Sequence, residues 1–127
     1  MKLLIVDDSL VIRNKISRSL LSRFAKVERA ENGRQALESA KKELPDLITM
    51  DLTMPEMGGV ECIRHMVTVA PKAAILVVSA LSDKHTAITA LKYGANGFLC
   101  KPFTESDLQS AIEQVLKTLS IPHRVIA

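Results

Sequence analysis

The chain has 127 residues, 47% hydrophobic, 24% charged and only 3% aromatic, with a formal net charge of +3. That length accommodates one domain with a sizeable core and excludes two ordinary ones. No apolar run approaches the roughly 18–20 residues that span a bilayer. The Met1–Val6 segment runs into Asp7-Asp8 with no small-residue cleavage site, so no secretory signal is expected. Two cysteines, Cys62 and Cys100, make no disulfide framework, which fits a reduced, cytoplasmic setting.

In chain order, the sequence repeats one unit five times: a short apolar strand, then a helical period. Leu3–Val6 is a near-continuous apolar run, and Asp8 or Ser9 can cap a first helix with Ile12, Ile16 and Leu20 on its inward face. Ala25–Ala30 alternates and is more polar, which suits a sheet edge; Asn32 and Gln35 then resemble a capping box ahead of Ala36, Leu37, Ala40 and Leu44. Leu47–Met50 is again apolar, and a third helix runs from Val60 to about Ala70. Ala74–Val78 is the longest apolar run, followed by a helix capped by Ser82 or Asp83 and ending at Gly94. Asn96–Cys100 is short and reads as the second edge. Thr104 and Asp107 open a last helix whose stripe is Leu108, Ala111, Ile112, Val115, Leu116 and Leu119, and Pro122 argues against its continuation. Strands alternating with helices predict a doubly wound five-stranded parallel sheet joined by right-handed crossovers. The expected layout is one domain over 1–120 and a tail over 121–127.

In such a sheet ligands bind beyond the carboxyl ends of the strands, at the point where the strand order reverses. The first strand ends in Asp7-Asp8, the third in Asp51, the fourth in Ser79 and the fifth in Lys101. The carboxylates meet only if the first and third strands are neighbours, which gives the order 2-1-3-4-5. Three close carboxylates raise one another's pKa unless a cation intervenes. Hard oxygen ligands with no His or Cys nearby suit Mg²⁺ rather than zinc. Asp51 is then a candidate nucleophile toward a phosphoryl group, with Lys101 and the Ser79 hydroxyl taking other oxygens. Each feature alone has an ordinary explanation: Asp8 as a helix cap, Asp51 and Lys101-Pro102 as turn residues, Ser79 as a structural hydroxyl and Phe98 as core. Their joint placement at the strand ends is what points to a site.

These residues resemble those of a receiver domain of a two-component response regulator, a flavodoxin-like fold, and of its stand-alone chemotaxis type. The matching pieces are Asp7-Asp8, Asp51 within Asp51-Leu52-Thr53-Met54-Pro55-Glu56-Met57-Gly58-Gly59, Ser79-Ala80, and Lys101-Pro102-Phe103. The resemblance implies that Asp51 is the phosphoacceptor, served by a sensor histidine kinase. Mg²⁺ would be held by Asp8, Asp51 and the Thr53 backbone carbonyl, with Asp7 acting directly or through water. It further implies that Lys101 neutralises a phosphate oxygen, that the Lys101–Pro102 bond is cis, and that Ser79 and Phe98 are the switch hydroxyl and switch aromatic. Leu81, apolar and beside the expected phosphate, cannot position an attacking water, so slow self-dephosphorylation is expected.

By the same resemblance the partners are a sensor histidine kinase and a downstream protein (flagellar motor, chemotaxis complex or histidine phosphotransfer protein), reached through the surface of the fourth helix, fifth strand and fifth helix. A cytoplasmic monomer is implied, with no separate substrate. A phosphorelay intermediate and the receiver part of a longer regulator stay open. A phosphohydrolase with an Asp nucleophile is disfavoured, because Thr53 stands where its second acid is needed. The Cys62–His65 pair lacks a second ligand pair, Cys100 reads as a buried small hydrophobe, and His85 and His123 read as exposed.

The net charge is unevenly spread. Residues 1–42 hold ten Lys/Arg against five Asp/Glu, and the rest hold seven against nine. With no Trp, one Tyr and three Phe there is little for bases to stack on, so no nucleic-acid partner is expected. The surplus centres on Arg13, Lys15, Arg18 and Arg23, either a solvated face or a docking surface for an acidic face of the kinase.

Overall fold

The computed structural model describes residues 1–120. Five parallel strands, β1 (Lys2–Val6), β2 (Lys26–Ala30), β3 (Leu47–Met50), β4 (Ala74–Ala80) and β5 (Gly97–Lys101), lie in the order β2-β1-β3-β4-β5. Helices α1 (Leu10–Leu20), α2 (Gly33–Lys42), α3 (Gly59–Val69), α4 (Lys84–Lys92) and α5 (Glu105–Ser120) alternate with them, and a 3-10 turn, Leu81–Asp83, precedes α4. This is the doubly wound order that the polar second strand and the paired strand-end carboxylates require. Pro122 and His123, and the side chain of Leu119, lie outside the described residues.

Side chains alternate across each strand, so one apolar run feeds two cores. Leu4, Val6, Ile48, Met50, Ile75 and Val77 face α2, α3 and α4, where they meet Ala36, Cys62, Ile63, Met66 and Ala90. Leu3, Ile5, Leu47, Leu76 and Val78 face α1 and α5, meeting Ile16, Leu20, Leu108, Ile112 and Val115. β2 and β5, the two strands with weaker apolar runs, are indeed the edges and the more exposed strands. Cys100 is accordingly half-buried on β5 rather than buried as the sequence suggested. Thr49 carries the single buried side-chain polar atom without a hydrogen-bond partner among the described residues.

The helix signals divide into those that hold and those that tertiary structure overrides. Ser9, not Asp8, caps α1, accepting from Ile12 N at 3.3 Å. Asn32 caps α2, accepting from Gln35 N at 2.9 Å, while the Gln35 side chain turns back to the Glu31 amide. Thr104 and Asp107 exchange two 3.0 Å bonds at the start of α5, and those bonds hold the Asp107 carboxyl below its ordinary range. Leu44 does not belong to the buried stripe of α2: the helix ends at Lys42 and Leu44 is exposed. Neither Ser82 nor Asp83 caps α4 through its side chain.

The basic cluster of α1 is mostly engaged inside the molecule. Arg13 donates to the Asp7 carbonyl at 2.7 Å and lies 3.9 Å from Glu31. Lys15 bonds the Phe103 carbonyl and sits 4.2 Å above that ring. Arg23 bridges to Gln109 and Glu113 of α5. Arg18 is exposed and makes no such bond among the described residues, so three of the four cations tie α1 and the turn after it to their neighbours.

Candidate functional site

Register decides what meets at the sheet edge. Val6 lies opposite Met50, and Met50 opposite Val77, so the residues that follow β1 and β3 emerge side by side, with Ser79 next to them near the end of β4. Ala80 lies opposite Lys101. One ligand atom from each of Asp7, Asp8 and Asp51 falls within 4.8 Å of the other two. Asp7 and Asp51 are 1% and 4% exposed, and Ser79 is fully buried. Asp8 points to solvent and accepts no hydrogen bond among the described residues.

The two buried carboxylates differ in how firmly they are held. Asp7 accepts from Ser9 N at 2.9 Å and from Lys101 Nζ at 2.8 Å, so both of its oxygens are occupied. Asp51 has only long contacts, all on Oδ1: Thr53 N at 3.4 Å, Ser79 Oγ at 3.5 Å and Lys101 Nζ at 3.6 Å. Its Oδ2 accepts no hydrogen bond among the described residues. Burial, then repulsion from Asp7, pushes the Asp51 carboxyl from about 3.8 to about 6, against the opposing pull of Lys101. It is therefore ionised at neutral pH, under-solvated and lightly bonded, which is what a nucleophilic carboxylate needs. Burial works against the Lys101 charge, but its bond to Asp7 and the fields of Asp51 and Asp7 outweigh that and raise its pKa.

The backbone around Asp51 is tightly set. Its amide donates to the Val6 carbonyl at 2.9 Å, and Gly59 N donates to the Leu52 carbonyl at 3.0 Å. A Cβ on Gly59 would lie 2.3 Å from the Asp51 carbonyl oxygen and 2.6 Å from Leu52 Cα. Only glycine lets the start of α3 come this close. Leu52 and Met54 are buried beneath the loop. The Lys101–Pro102 bond is cis. Phe98, opposite Val77 on β5, is half-buried against the α2–α4 side of the core.

One polar residue of this edge was not read from the sequence as part of it. Asp83 Oδ2 accepts from Ser79 Oγ at 2.7 Å and from Thr53 Oγ1 at 3.1 Å. The Ser79-x-x-x-Asp83 spacing was the available signal. An Asp before a helix usually caps it, so the same spacing also fits a helix cap. The 3-10 turn instead carries the side chain back over the end of β4. The other candidates stay outside the site: Cys62 is buried with its thiol pushed up to about 12 by burial, and His65 pairs weakly with Glu61 on the surface of α3.

The three clustered carboxylates are hard oxygen donors with one open face, a donor set that fits a small divalent cation. Among the described residues no helix is long and apolar enough to cross a membrane.

Comparison with known proteins agrees with this geometry. Residues 3–113 match the family described as response regulator receiver domain. The chain is 38% identical over 117 residues to the chemotaxis protein CheY of Thermotoga maritima, covering 91% of this chain and 98% of that one. It is 39% identical to CheY of Bacillus subtilis, covering 91% and 97%. The structure of Vibrio cholerae CheY4 superposes with a TM-score of 0.82 at 32% identity, covering 90% of this chain and 97% of that one. Fold, strand-end chemistry and sequence thus agree: the chain belongs to the response regulator receiver family, the phosphoacceptor modules of two-component signalling.

Proposed function

We propose that Asp51 is the phosphoacceptor of this receiver, and that its phosphorylation by a sensor histidine kinase alters the binding of a downstream protein. The observation that carries the assignment is the contrast between the two buried carboxylates. Asp7 is saturated by Ser9 and Lys101, whereas Asp51 keeps one oxygen unbonded. That Asp51 oxygen attacks phosphorus, a P–O bond forms, and the P–N bond to the donor imidazole breaks with its electron pair staying on nitrogen. Lys101 lies within reach of both Asp7 and Asp51 and balances negative charge on the incoming group. Ser79 supplies one hydroxyl proton to the same region.

The residues to hold Mg²⁺ are Asp8 and Asp51, with Asp7 directly or through water and the Thr53 backbone carbonyl. When bound, the cation offsets the repulsion among the carboxylates and the charge of the transferring phosphoryl group. The chain itself turns over no separate substrate in this reading. Full-length similarity to chemotaxis proteins supports a chemotaxis complex or flagellar motor as the destination of the signal. Exposed Ile88, Leu91 and Tyr93 at α4 and its end give a partner apolar surface to meet. A cytoplasmic domain acting as a monomer over 1–120, with 121–127 as a tail, completes the reading.

Incubation with a small-molecule phosphodonor and Mg²⁺ tests it. Acid-stable, base-labile phosphate should map to Asp51 by mass spectrometry and vanish in Asp51→Asn or in excess chelator. Labelling that survives either change refutes the assignment.

A further inference from the structure

We propose that Asp83 is a latch on the Ser79 hydroxyl, a positioning residue that sets how readily this receiver passes to its phosphorylated state. The inference rests on Asp51 being the phosphoacceptor and goes beyond it. A serine hydroxyl has one proton to donate. Two carboxylates compete for the Ser79 proton, Asp83 at 2.7 Å and Asp51 at 3.5 Å. The first distance is a strong charge-assisted bond and the second is at the limit of any bond. In this state, therefore, the hydroxyl is committed away from the phosphorylation site.

The position of Asp83 gives the bond mechanical meaning. Asp83 sits in the 3-10 turn that leads into α4, and it also accepts from Thr53 on the loop after β3. One carboxylate thus staples together the two loops that flank Asp51. For Ser79 to donate to an oxygen of a phosphoryl group on Asp51, it must give up Asp83. The turn then loses its shorter anchor, at the point where α4 begins. A carboxylate in this place both opposes occupation of the site and links it to α4.

Titration with beryllofluoride and Mg²⁺, a stable mimic of the phosphoryl group, tests the latch. Asp83→Ala should bind the mimic more tightly than the wild type by about tenfold or more, the weight of one hydrogen bond to a carboxylate. Asp83→Asn retains a neutral acceptor and should gain less. In a Ser79→Ala background the Asp83→Ala gain should fall to about twofold or less, because only the through-space effect of the charge remains. An unchanged or weaker affinity in Asp83→Ala overturns the proposal, as does an equal gain with and without Ser79. Equal gains in Asp83→Asn and Asp83→Ala also overturn it, since charge alone would then be the cause. Wild-type protein that binds no mimic, or an Asp51→Asn variant that binds it equally well, sinks the phosphoacceptor reading and the latch with it. Normal wild-type binding with an inert Asp83 sinks the latch alone.

Discussion

Replacing Asp51 by Asn should stabilise the metal-free protein, and the gain should depend on pH in a defined direction. The folded-state pKa of Asp51 stands at about 6 against an ordinary 3.8. Between those values the native state binds the proton that the unfolded state has released, so the contribution of this group to stability falls as pH rises. Above about pH 6 the native protein holds a buried charge that the unfolded chain hydrates freely. At about 1.4 kcal/mol per pKa unit this amounts to about 3 kcal/mol. The side chain is 5% exposed, but the carboxyl stands at the open edge of the sheet, so about 3 kcal/mol is an upper bound. Asn has the same shape and no charge, so Asp51→Asn should unfold about 2–3 kcal/mol later than wild type near pH 7.5. The difference should shrink steadily as pH falls and vanish only below about pH 3, where both states of the wild type are protonated. Lys101 keeps its 2.8 Å bond to Asp7 and stays charged throughout, so it adds no pH dependence in this window. Urea unfolding in the presence of chelator, followed by circular dichroism across that range, provides the measurement. Saturating Mg²⁺ should narrow the gap by stabilising the wild type more than the variant, which lacks one of the three carboxylates. A difference near zero at pH 7.5, or a constant gain at every pH, would refute the electrostatic reasoning.

Three further outcomes follow from the packing and the site. Gly59→Ala places a methyl group 2.3 Å from a backbone carbonyl that cannot move without moving Asp51; a loss of about 2 kcal/mol or more in urea unfolding is expected, together with slower phosphorylation by a small-molecule donor. Thr49→Val removes a buried hydroxyl without a partner and fills the same volume between Ile5 and Leu76, so the denaturation midpoint should rise by an amount worth about 1 kcal/mol. Leu81 is exposed beside the pocket and has no polar atom to hold a water, so phosphate should leave purified, phosphorylated protein over minutes. A half-life of seconds would show that another group orients the water.

Much of this architecture is legible because its causes are local and periodic. Leu3–Val6, Leu47–Met50 and Ala74–Val78 read as doubly covered strands because both of their faces are apolar, and they are the three central strands. Polar Lys26–Ala30 had to be an edge, and once it is, Asp7 and Asp51 become neighbours. What the sequence hides depends on where the chain turns. Leu44 continues the α2 periodicity, yet the helix stops two residues earlier as the chain turns toward β3 through Pro45. Asp83 has the composition of a cap, and only the 3-10 turn brings it back upon Ser79. The cations of α1 look like a solvated or docking face, and it takes the packing of α1 beside α5 to show Lys15 and Arg23 engaged with Phe103, Gln109 and Glu113. Residue type announces chemistry, but partners four or ninety residues away are set by the fold.

The close approach of Gly59 to the Asp51 carbonyl gives the pocket one stiff jaw and one compliant jaw. On the β3–α3 side, Leu52 and Met54 are buried and backbone presses on backbone, so the wall and the head of α3 behave as one body. On the β4–α4 side, Leu81 and Ser82 are exposed and the turn is tied to the pocket by the Asp83 carboxylate. On the proposal that Asp51 carries the phosphoryl group, displacement is expected toward α4 rather than α3, because the β3–α3 wall is the tightly packed one.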